Sequence, residues 1–261
     1  MRLVLGVQYD GTHYKGFQSQ ASGLPTIQDY LEMAISRVAD HPVKIICAGR
    51  TDSGVHALNQ VVHFDTTANR EDYAWVRGTN ANLPKDIRIS WAKLLDEDFH
   101  ARYTAIARRY RYCIYNNPIP SALSHHRATW YFYPLNEADM QEAADFLIGE
   151  HDFTSYRGIN CQAKSAIRTI SHFKIERHGD FVILDVMANA FLHHMVRNMA
   201  GVLLAIGSGK YGPNWAKEVL AARDRKQACV TAPPNGLYLA AVIYPGHYDL
   251  PSGMINPIFF G

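Results

Sequence analysis

The stretch Ala48–Phe64, AGRTDSGVHALNQVVHF, places a polar loop punctuated by glycine between two apolar segments. Val43–Ala48 and Gln60–Thr66 are predicted as the strands on either side of it. Four charged or reactive side chains lie in the loop: Arg50, Asp52, Ser53 and His56. Because loops of this kind in a compact domain often carry function, this one is the first candidate for a site.

The first half of the chain predicts the order strand, helix, strand, strand, helix, strand. Arg2–Tyr9 alternates apolar and polar residues as a strand does. Thr26 is expected to cap a helix that ends before Pro42. The apolar residues of this helix recur at helical spacing: Ile27, Leu31, Ile35 and Val38. A helix at Glu71–Gly78 and a strand at Ile87–Lys93 complete the series.

The second half repeats this order of elements. The predicted elements are the strand Arg109–Tyr115, a helix capped by Asn136, the hairpin strands Arg168–Arg177 and Phe181–Ala188, the helix Phe191–Ile206 and the strand Gly236–Ile243. The repeated order predicts an α+β fold class, with two ferredoxin-like (βαββαβ) units and mainly antiparallel sheets. We place the two domains at 1–103 and 104–261.

This topology has a consequence for the loops. In a ferredoxin-like unit the first two strands run parallel with the third between them, so the loops that follow them leave one edge of the sheet. In the first unit these loops are Asp10–Pro25 and Gly49–Asn59, which we expect to face each other.

Composition limits the class of protein. At 261 residues and 48% hydrophobic content, the chain is long enough to bury a large core. Its four cysteines are widely separated, which favours neither a zinc site nor a disulfide framework. The N-terminal apolar run is too short for a signal peptide and no stretch is long enough to span a bilayer, so we expect a cytoplasmic protein with no membrane partner.

Three kinds of site find little support in the sequence. Two adjacent histidine pairs occur without any spacing typical of metal ligands, so no metal is expected. Gly207–Lys210 lacks the first glycine and the final Ser or Thr of a phosphate-binding Walker A loop. Asp52, Ser53 and His56 lie too close together in one loop to form a Ser-His-Asp triad easily.

Asp52 remains as a candidate nucleophile, with Arg50 two residues before it. A neighbouring guanidinium keeps a partly shielded carboxylate ionised, as covalent catalysis requires. The alternative is that Asp52 only caps a turn, with Arg50 as a surface neighbour.

Basic and aromatic residues indicate an RNA partner, and solvated charge on an ordinary protein surface is an equally good interpretation of the basic run. No acidic residue lies between Asp98 and Glu137, and within this run the strand RRYRY, Arg108–Tyr112, alternates tyrosine and arginine. Aromatic rings stack on unpaired bases and arginines bind phosphates, so Tyr110 is a candidate for stacking, while Tyr112 is expected in the core.

Four blocks together resemble the tRNA pseudouridine synthase A family. They are YDGT with GFQSQ at 9–12 and 16–20, GRTDSGVHA at 49–57, RRYRY at 108–112 and FLHHMVRN at 191–198. The resemblance implies isomerisation of uridine to pseudouridine at positions 38, 39 and 40 in the tRNA anticodon arm. It also implies a homodimer, no cofactor and the pseudouridine synthase fold, with the two units flanking a central RNA-binding cleft.

The resemblance also implies roles for single residues. Asp52 matches the catalytic aspartate, Tyr110 the tyrosine that stacks on the target uracil, and Arg197 an arginine that pairs with the aspartate. Arg50 is implicated in contacting the nucleotide as it leaves the stack. The further expected contacts to the RNA come from Phe17, Gln18, Arg109 and Arg111. Phe17 has an alternative role as a loop anchor packed on the core.

On its predicted helix Arg197 shares one face with small residues and a histidine, namely Ala190, His193 and Gly201. A guanidinium among small residues can approach another backbone closely. Two other functions fit the same residues: a non-catalytic RNA-binding module or RNA chaperone, and a nucleoside hydrolase with an aspartate nucleophile.

Overall fold

The computed structural model describes residues 1–21 and 23–251. The chain forms two compact units, Met1–Ile106 with the chain from Tyr238 onwards, and Ala107–Leu237. The last strand therefore groups with the first half of the chain, whereas sequence order groups it with the second. The domains 1–103 and 104–261 stay a prediction. No helix within the described ranges has the length and apolar character needed to cross a membrane.

Both units combine strands with helices. The first contains β1 (Arg2–Tyr9), α1 (Ile27–Ala39), β2 (Ile46–Cys47), β3 (His56–Asp65), α2 (Asp72–Asn82) and β4 (Ile87–Leu95). The second contains β5 (Ala107–Asn116), β6 (Thr129–Tyr131), α3 (Glu137–Asp145), β7 (Gly149–Asp152), β8 (Ile167–His178), β9 (Phe181–Ala188), α4 (Met195–Gly207) and α5 (Trp215–Ala222). The strand β10 (Leu237–Ile243) follows α5 in the sequence.

The sheet of the first unit has the ferredoxin-like order β4-β1-β3-β2. β1 pairs antiparallel with both β3 and β4, and β2 pairs antiparallel with β3. β10 adds a parallel partner to the start of β3, with Tyr238 opposite His56. Because β1 and β2 both run antiparallel to β3, the loops that follow them leave the same edge of the sheet. This confirms the predicted arrangement of the loops.

The sequence signals for α1 are borne out. The Thr26 side chain accepts a hydrogen bond from the Asp29 amide at the N-terminus, and Asp40 ends the helix in the left-handed conformation. The buried face includes Ile27, Leu31 and Ile35, as the helical spacing predicts.

In the second unit, the strand order β5-β9-β8 corresponds to the order β1-β3-β2 of the first unit. All these neighbours are antiparallel, and the β8–β9 hairpin turns at Gly179 with φ 56°. β7 extends the sheet antiparallel to β8, and β6 pairs parallel with β5. The sequence did not predict β6, β7 or α5. The α+β class with mainly antiparallel sheets is confirmed.

The predicted strand Val43–Ala48 is wrong in its extent, because β2 comprises only Ile46–Cys47. Side chains of α1 bond the backbone just before it. The Ser36 hydroxyl accepts from the Val43 amide at 2.9 Å, and the Glu32 carboxylate accepts from the Ile45 amide at 3.2 Å. Hydrogen bonds to a helix thus replace the sheet partners that a longer strand would need.

The predicted start of the helix at Phe191 is also wrong, because α4 begins at Met195. His194 has φ 60°, in the left-handed region that a right-handed helix does not include. The preceding carbonyl of His193 accepts a hydrogen bond from the Gly158 amide at 2.8 Å. Residues before Met195 therefore do not share a helical face with Arg197.

Glu32 gives a test of how α1 is held to the following segment. Its buried carboxylate accepts from Gln28 at 2.8 Å, Lys44 at 2.6 Å and the Ile45 amide. Glu32→Ala leaves the buried amide without its acceptor, so we expect the free energy of unfolding in urea to fall by about 1–3 kcal/mol.

Lys44→Ala is the matched control, because it removes only the partner whose side chain is 88% exposed. The free energy of unfolding should then change little. An equal loss in both variants would contradict a structural role for the buried amide contact.

Candidate active site

The Asp52 loop is fixed at its base by a buried glutamine. The Gln60 side chain accepts from the Gly49 amide at 3.3 Å and donates to the Gly49 carbonyl at 2.6 Å. One residue earlier, the Ala48 amide donates to the Val61 carbonyl at 2.8 Å. Both hydrogen-bonding groups of Gly49 are therefore satisfied by one side chain, which sets the direction in which the loop leaves β2.

The loop after β1 packs directly on the Asp52 loop, as predicted. The Phe17 amide donates to the Thr51 carbonyl at 3.0 Å, and the Ser53 hydroxyl donates to the Tyr14 carbonyl at 3.1 Å. The Thr51 hydroxyl lies 2.7 Å from the hydroxyl of Tyr9 at the end of β1. Three hydrogen bonds thus hold the residues on both sides of Asp52.

Glycines allow this close approach of the two loops. A Cβ atom on Gly11 would lie 2.0 Å from the Val55 carbonyl oxygen, and one on Gly16 would lie 2.8 Å from the Thr51 carbonyl oxygen. Gly16 also has φ 88°, which side chains other than glycine rarely adopt. The two loop backbones therefore meet with no side chain between them.

Asp52 lies half-buried at the turn of its loop. Its carbonyl accepts from the Val55 amide at 3.1 Å, and Gly54 takes a φ of 79° within this turn. The neighbouring Arg50 is exposed. The carboxylate is thus partly shielded from water on a backbone that is fixed on both sides.

Phe17 and Gln18, the two candidates for RNA contact in the loop after β1, differ in exposure. Phe17 is only 1% exposed, and its ring lies 6.1 Å from that of Tyr9, whereas Gln18 is exposed. The burial of Phe17 fits its alternative role as an anchor of the loop on the core.

His56 lies at the start of β3 and contacts Asp10 instead of forming a serine triad. It is buried, its ring stacks on Tyr238 at 4.7 Å, and Nδ1 lies 3.1 Å from Asp10 Oδ1. Burial alone would raise the pKa of Asp10, but hydrogen bonds from His56 and Thr12 outweigh it and hold this pKa below its usual range. Asp10 is therefore an ionised group at the base of the first loop.

In the second unit, β5 separates its tyrosines from its arginines as the alternation predicts. Tyr112 is fully buried, with its hydroxyl 2.6 Å from Thr129 Oγ1 and donating to the Pro233 carbonyl at 3.0 Å. Tyr110 is 9% exposed and meets the ring of Phe191 edge to face at 5.1 Å. The Tyr110 ring is thus held in one orientation by an aromatic neighbour.

Arg109 and Arg111 share one buried carboxylate. Arg109 binds Asp185 through Nε at 2.6 Å and Nη2 at 2.8 Å, and Arg111 binds it through Nε at 2.9 Å. Asp185 is 3% exposed and lies opposite Arg111 in the β5–β9 pair. Two cations and one anion leave one positive charge, so this group is less basic than the sequence of β5 suggests.

Arg197 lies in the first turns of α4 and contacts the backbone near the end of the unit. Its Nε donates to the Ala232 carbonyl at 2.8 Å, and its own carbonyl accepts from the Ala232 amide at 3.1 Å. One turn later, a Cβ on Gly201 would lie 2.2 Å from the Val230 carbonyl oxygen. Arg197 and Gly201 do share a face, as predicted, but Ala190 and His193 precede the helix.

Comparison with known proteins decides the family. A family model described as tRNA pseudouridine synthase matches residues 6–104 and 143–245. The chain belongs to this family. The matched segments contain Asp52 and Arg197, whereas Tyr110 lies between them.

Full-length relatives of this tRNA pseudouridine synthase family member agree. A tRNA pseudouridine synthase A from Pseudomonas aeruginosa is 54% identical over 99% of this chain and 90% of its own length. Proteins of the same name from Coxiella burnetii and Colwellia psychrerythraea are 55% and 50% identical over 99% of this chain, and over 98% and 100% of their own lengths.

Sequence patterns do not predict several residues that hold the candidate site residues in place. In the sequence, Gln60 and Asp185 are ordinary strand residues, and no pattern marks Ala232. The β5–β9 register would have placed Asp185 opposite Arg111. The contacts of Gln60 and Ala232 depend on backbone positions that no local pattern specifies.

Gly16 gives a test of the contact between the two loops. Gly16→Ala places a methyl group against the Thr51 carbonyl and strains a residue with positive φ, which costs about 1–2 kcal/mol. Because the displaced backbone adjoins Asp52, we expect the single-turnover rate of pseudouridine formation in tRNA to fall by about 10- to 100-fold.

Gly23→Ala is the matched control. Gly23 lies in the same loop with φ 66°, but a Cβ there would meet nothing within 4 Å. It should lose stability in thermal unfolding without losing rate. Equal losses of rate in the two variants would show that the contact with Thr51 does not position Asp52.

Proposed function

We propose that this protein isomerises uridine to pseudouridine at positions 38, 39 and 40 in the anticodon arm of tRNA, with Asp52 as the catalytic nucleophile on a flipped-out uridine. The observation that carries the proposal is the placement of Asp52. It is a half-buried carboxylate on a loop whose backbone is fixed on both sides, within a segment that matches the tRNA pseudouridine synthase family.

The reaction needs no atoms beyond those of the uridine and water-exchangeable protons. The bond between ribose C1′ and uracil N1 breaks, the base turns, and a new bond joins C1′ to C5. The proton on C5 leaves and N1 gains a proton, so the product has the composition of the substrate. The carboxylate of Asp52 assists either by attack on C1′ or by attack on the uracil ring, and the proposal keeps both routes open.

Access to the base requires extrusion of the nucleotide. Flipping a stacked base out of an RNA helix costs a few kcal/mol, which must be recovered by contacts to the vacated space and to the base. We assign the contact with the space that the base leaves to the exposed Arg50, with Gln18 as a further contact. We assign the contact with the flipped-out base to Tyr110, since its ring orientation is already fixed by Phe191.

The remaining candidate residues support the binding of RNA and the ionised state of Asp52. In the proposal, Arg197 keeps Asp52 ionised, and Arg109 with Arg111 offer their residual positive charge to phosphates. Phe17 acts through the loop that it anchors. The same proposal includes a homodimer, which rests on the family resemblance, and a cytoplasmic location, which rests on the four widely separated cysteines.

Replacement of Asp52 tests this function directly. Asp52→Ala and the isosteric Asp52→Asn remove the carboxylate from an otherwise intact loop. We expect both to bind tRNA with close to wild-type affinity and to form no pseudouridine. Pseudouridine mapped in a bulk tRNA pool, together with filter binding, measures the two effects separately.

Ser53→Ala is the matched control, because it alters the adjacent residue and removes only the hydrogen bond to the Tyr14 carbonyl. Because it keeps the Asp52 carboxylate and loses one of the hydrogen bonds that hold the loop, it should still form pseudouridine, at a reduced rate. Pseudouridine formation by Asp52→Ala would refute the nucleophile. A wild-type protein that binds tRNA without modifying it would be an RNA-binding module or chaperone, and release of free uracil would indicate a hydrolase.

A further inference from the structure

A segment without regular strand or helix, residues 228–232, runs along α4 in the second unit. Gly201 allows its backbone to approach the helix, since the Val230 carbonyl occupies the space of a missing Cβ. Val230 itself is 87% exposed. Burial of its side chain therefore does not hold the segment against the helix at this point.

Hydrogen bonds around Asn198 hold the segment instead. Asn198 is fully buried, and its Oδ1 accepts from Thr231 Oγ1 at 2.6 Å and from Arg225 Nη2 at 3.0 Å. The same Nη2 lies 3.0 Å from Thr231 Oγ1, and Asn198 Nδ2 donates to the Tyr156 carbonyl at 2.8 Å. The three side chains form a closed triangle in which each contact fixes the other two.

This triangle lies next to the contact between Arg197 and Ala232. Asn198 follows Arg197 in the helix, and Thr231 precedes Ala232 in the segment. The pair Asn198–Thr231 therefore fixes the two backbones at the point where the Ala232 carbonyl accepts from Arg197 Nε. Ala232 is itself buried, so its carbonyl has little freedom to move.

A hydrogen bond at Nε has a particular effect on an arginine. The arginine side chain is long and has many rotamers, and its guanidinium is planar. Because Nε joins this plane to the stem, a bond from Nε sets the orientation of the whole group. The position of the Ala232 carbonyl thus sets the direction in which the Arg197 guanidinium points.

We propose that Thr231, Asn198 and Arg225 are positioning residues for pseudouridine formation, which act by holding the Ala232 carbonyl that orients Arg197. The proposal rests on the proposed function, in which Arg197 keeps Asp52 ionised. It assigns a reaction role to the three side chains of the triangle, which do not themselves touch the substrate.

Thr231→Val tests the proposal with a side chain of the same shape and no hydroxyl. The change removes the hydrogen bond to Asn198 and lets the segment shift on α4. We expect the single-turnover rate of pseudouridine formation to fall by about 10- to 100-fold, with the dissociation constant for tRNA unchanged. Thr231→Ser, which restores the hydroxyl, should recover the rate.

Thr154→Val is the control for loss of a hydroxyl in the same unit. Its hydroxyl donates to Asp152 Oδ1 at 2.6 Å, outside the triangle. All variants are assayed well below their thermal unfolding midpoints. The control should lose stability and keep its rate.

A double variant shows whether Thr231 acts through Arg197. In an Arg197→Lys background, which has lost the Nε contact, Thr231→Val should lower the rate little further. The NMR signal of the Arg197 Nε–H, identified by its loss in Arg197→Lys, provides a second measurement. Its exchange with water should be slow in the wild type and in Thr231→Ser, and faster in Thr231→Val.

Three results would overturn the inference. They are a Thr231→Val variant with the wild-type rate, a loss of rate that is equally large in both Arg197 backgrounds, and an Nε–H exchange rate that does not change. If Arg197→Lys keeps the wild-type rate while Asp52→Ala is inactive, the inference fails and the proposed nucleophile stands. If Asp52→Ala is active, the proposed function itself fails.

Discussion

The contact between the backbones of Gly16 and Thr51 is the constraint on which the candidate active site depends. The loop between β2 and β3 has many conformations available, and a reactive carboxylate at its turn needs only one of them. Direct packing of the first loop on the second removes that freedom at the residue before Asp52. The buried Phe17 follows from the same contact, because its amide donates to the Thr51 carbonyl while its ring fills the core beside Tyr9.

In the second unit, too, a glycine allows two backbone segments to come into direct contact. Gly201 lets the backbone at Val230 lie against α4, just as Gly16 lets the first loop lie against Thr51. In both places a side chain that the family resemblance links to catalysis adjoins the contact: Asp52 in one, Arg197 in the other. Each residue is thus supported by a pair of backbones in direct contact, which shift less readily than side chains packed on each other.

Local signals in the sequence predict local structure well. The Thr26 cap, the spacing of α1 and the alternation in β1 and β5 each depend on neighbouring residues, and the structure has them as predicted. The ferredoxin-like order follows from the sequence of these elements. The short strands β6 and β7 carry too few residues to show a period, and β2 is short because Glu32 and Ser36 bond the backbone before it. The start of α4 depends on the left-handed conformation of His194, which its sequence does not indicate.

Contacts between residues distant in sequence account for the other differences. The alternation of β5 correctly separated Arg109 and Arg111 from the tyrosines, but it could not show that both bind Asp185, more than 70 positions later. Likewise, helical spacing placed Arg197 beside Gly201 and gave no sign that Ala232 would accept its hydrogen bond. Sequence patterns therefore locate the candidate residues, whereas the structure supplies the groups that hold them.

In the proposed function, the position of the Asp52 carboxylate matters as much as its charge. Asp52→Glu keeps the carboxylate and moves it by one carbon–carbon bond on the same fixed loop. Its single-turnover rate of pseudouridine formation in tRNA, measured beside the wild type, tests the claim most directly. We expect a rate lower by about 100-fold or more, and a rate within about tenfold of the wild type would contradict the importance of the carboxylate's position.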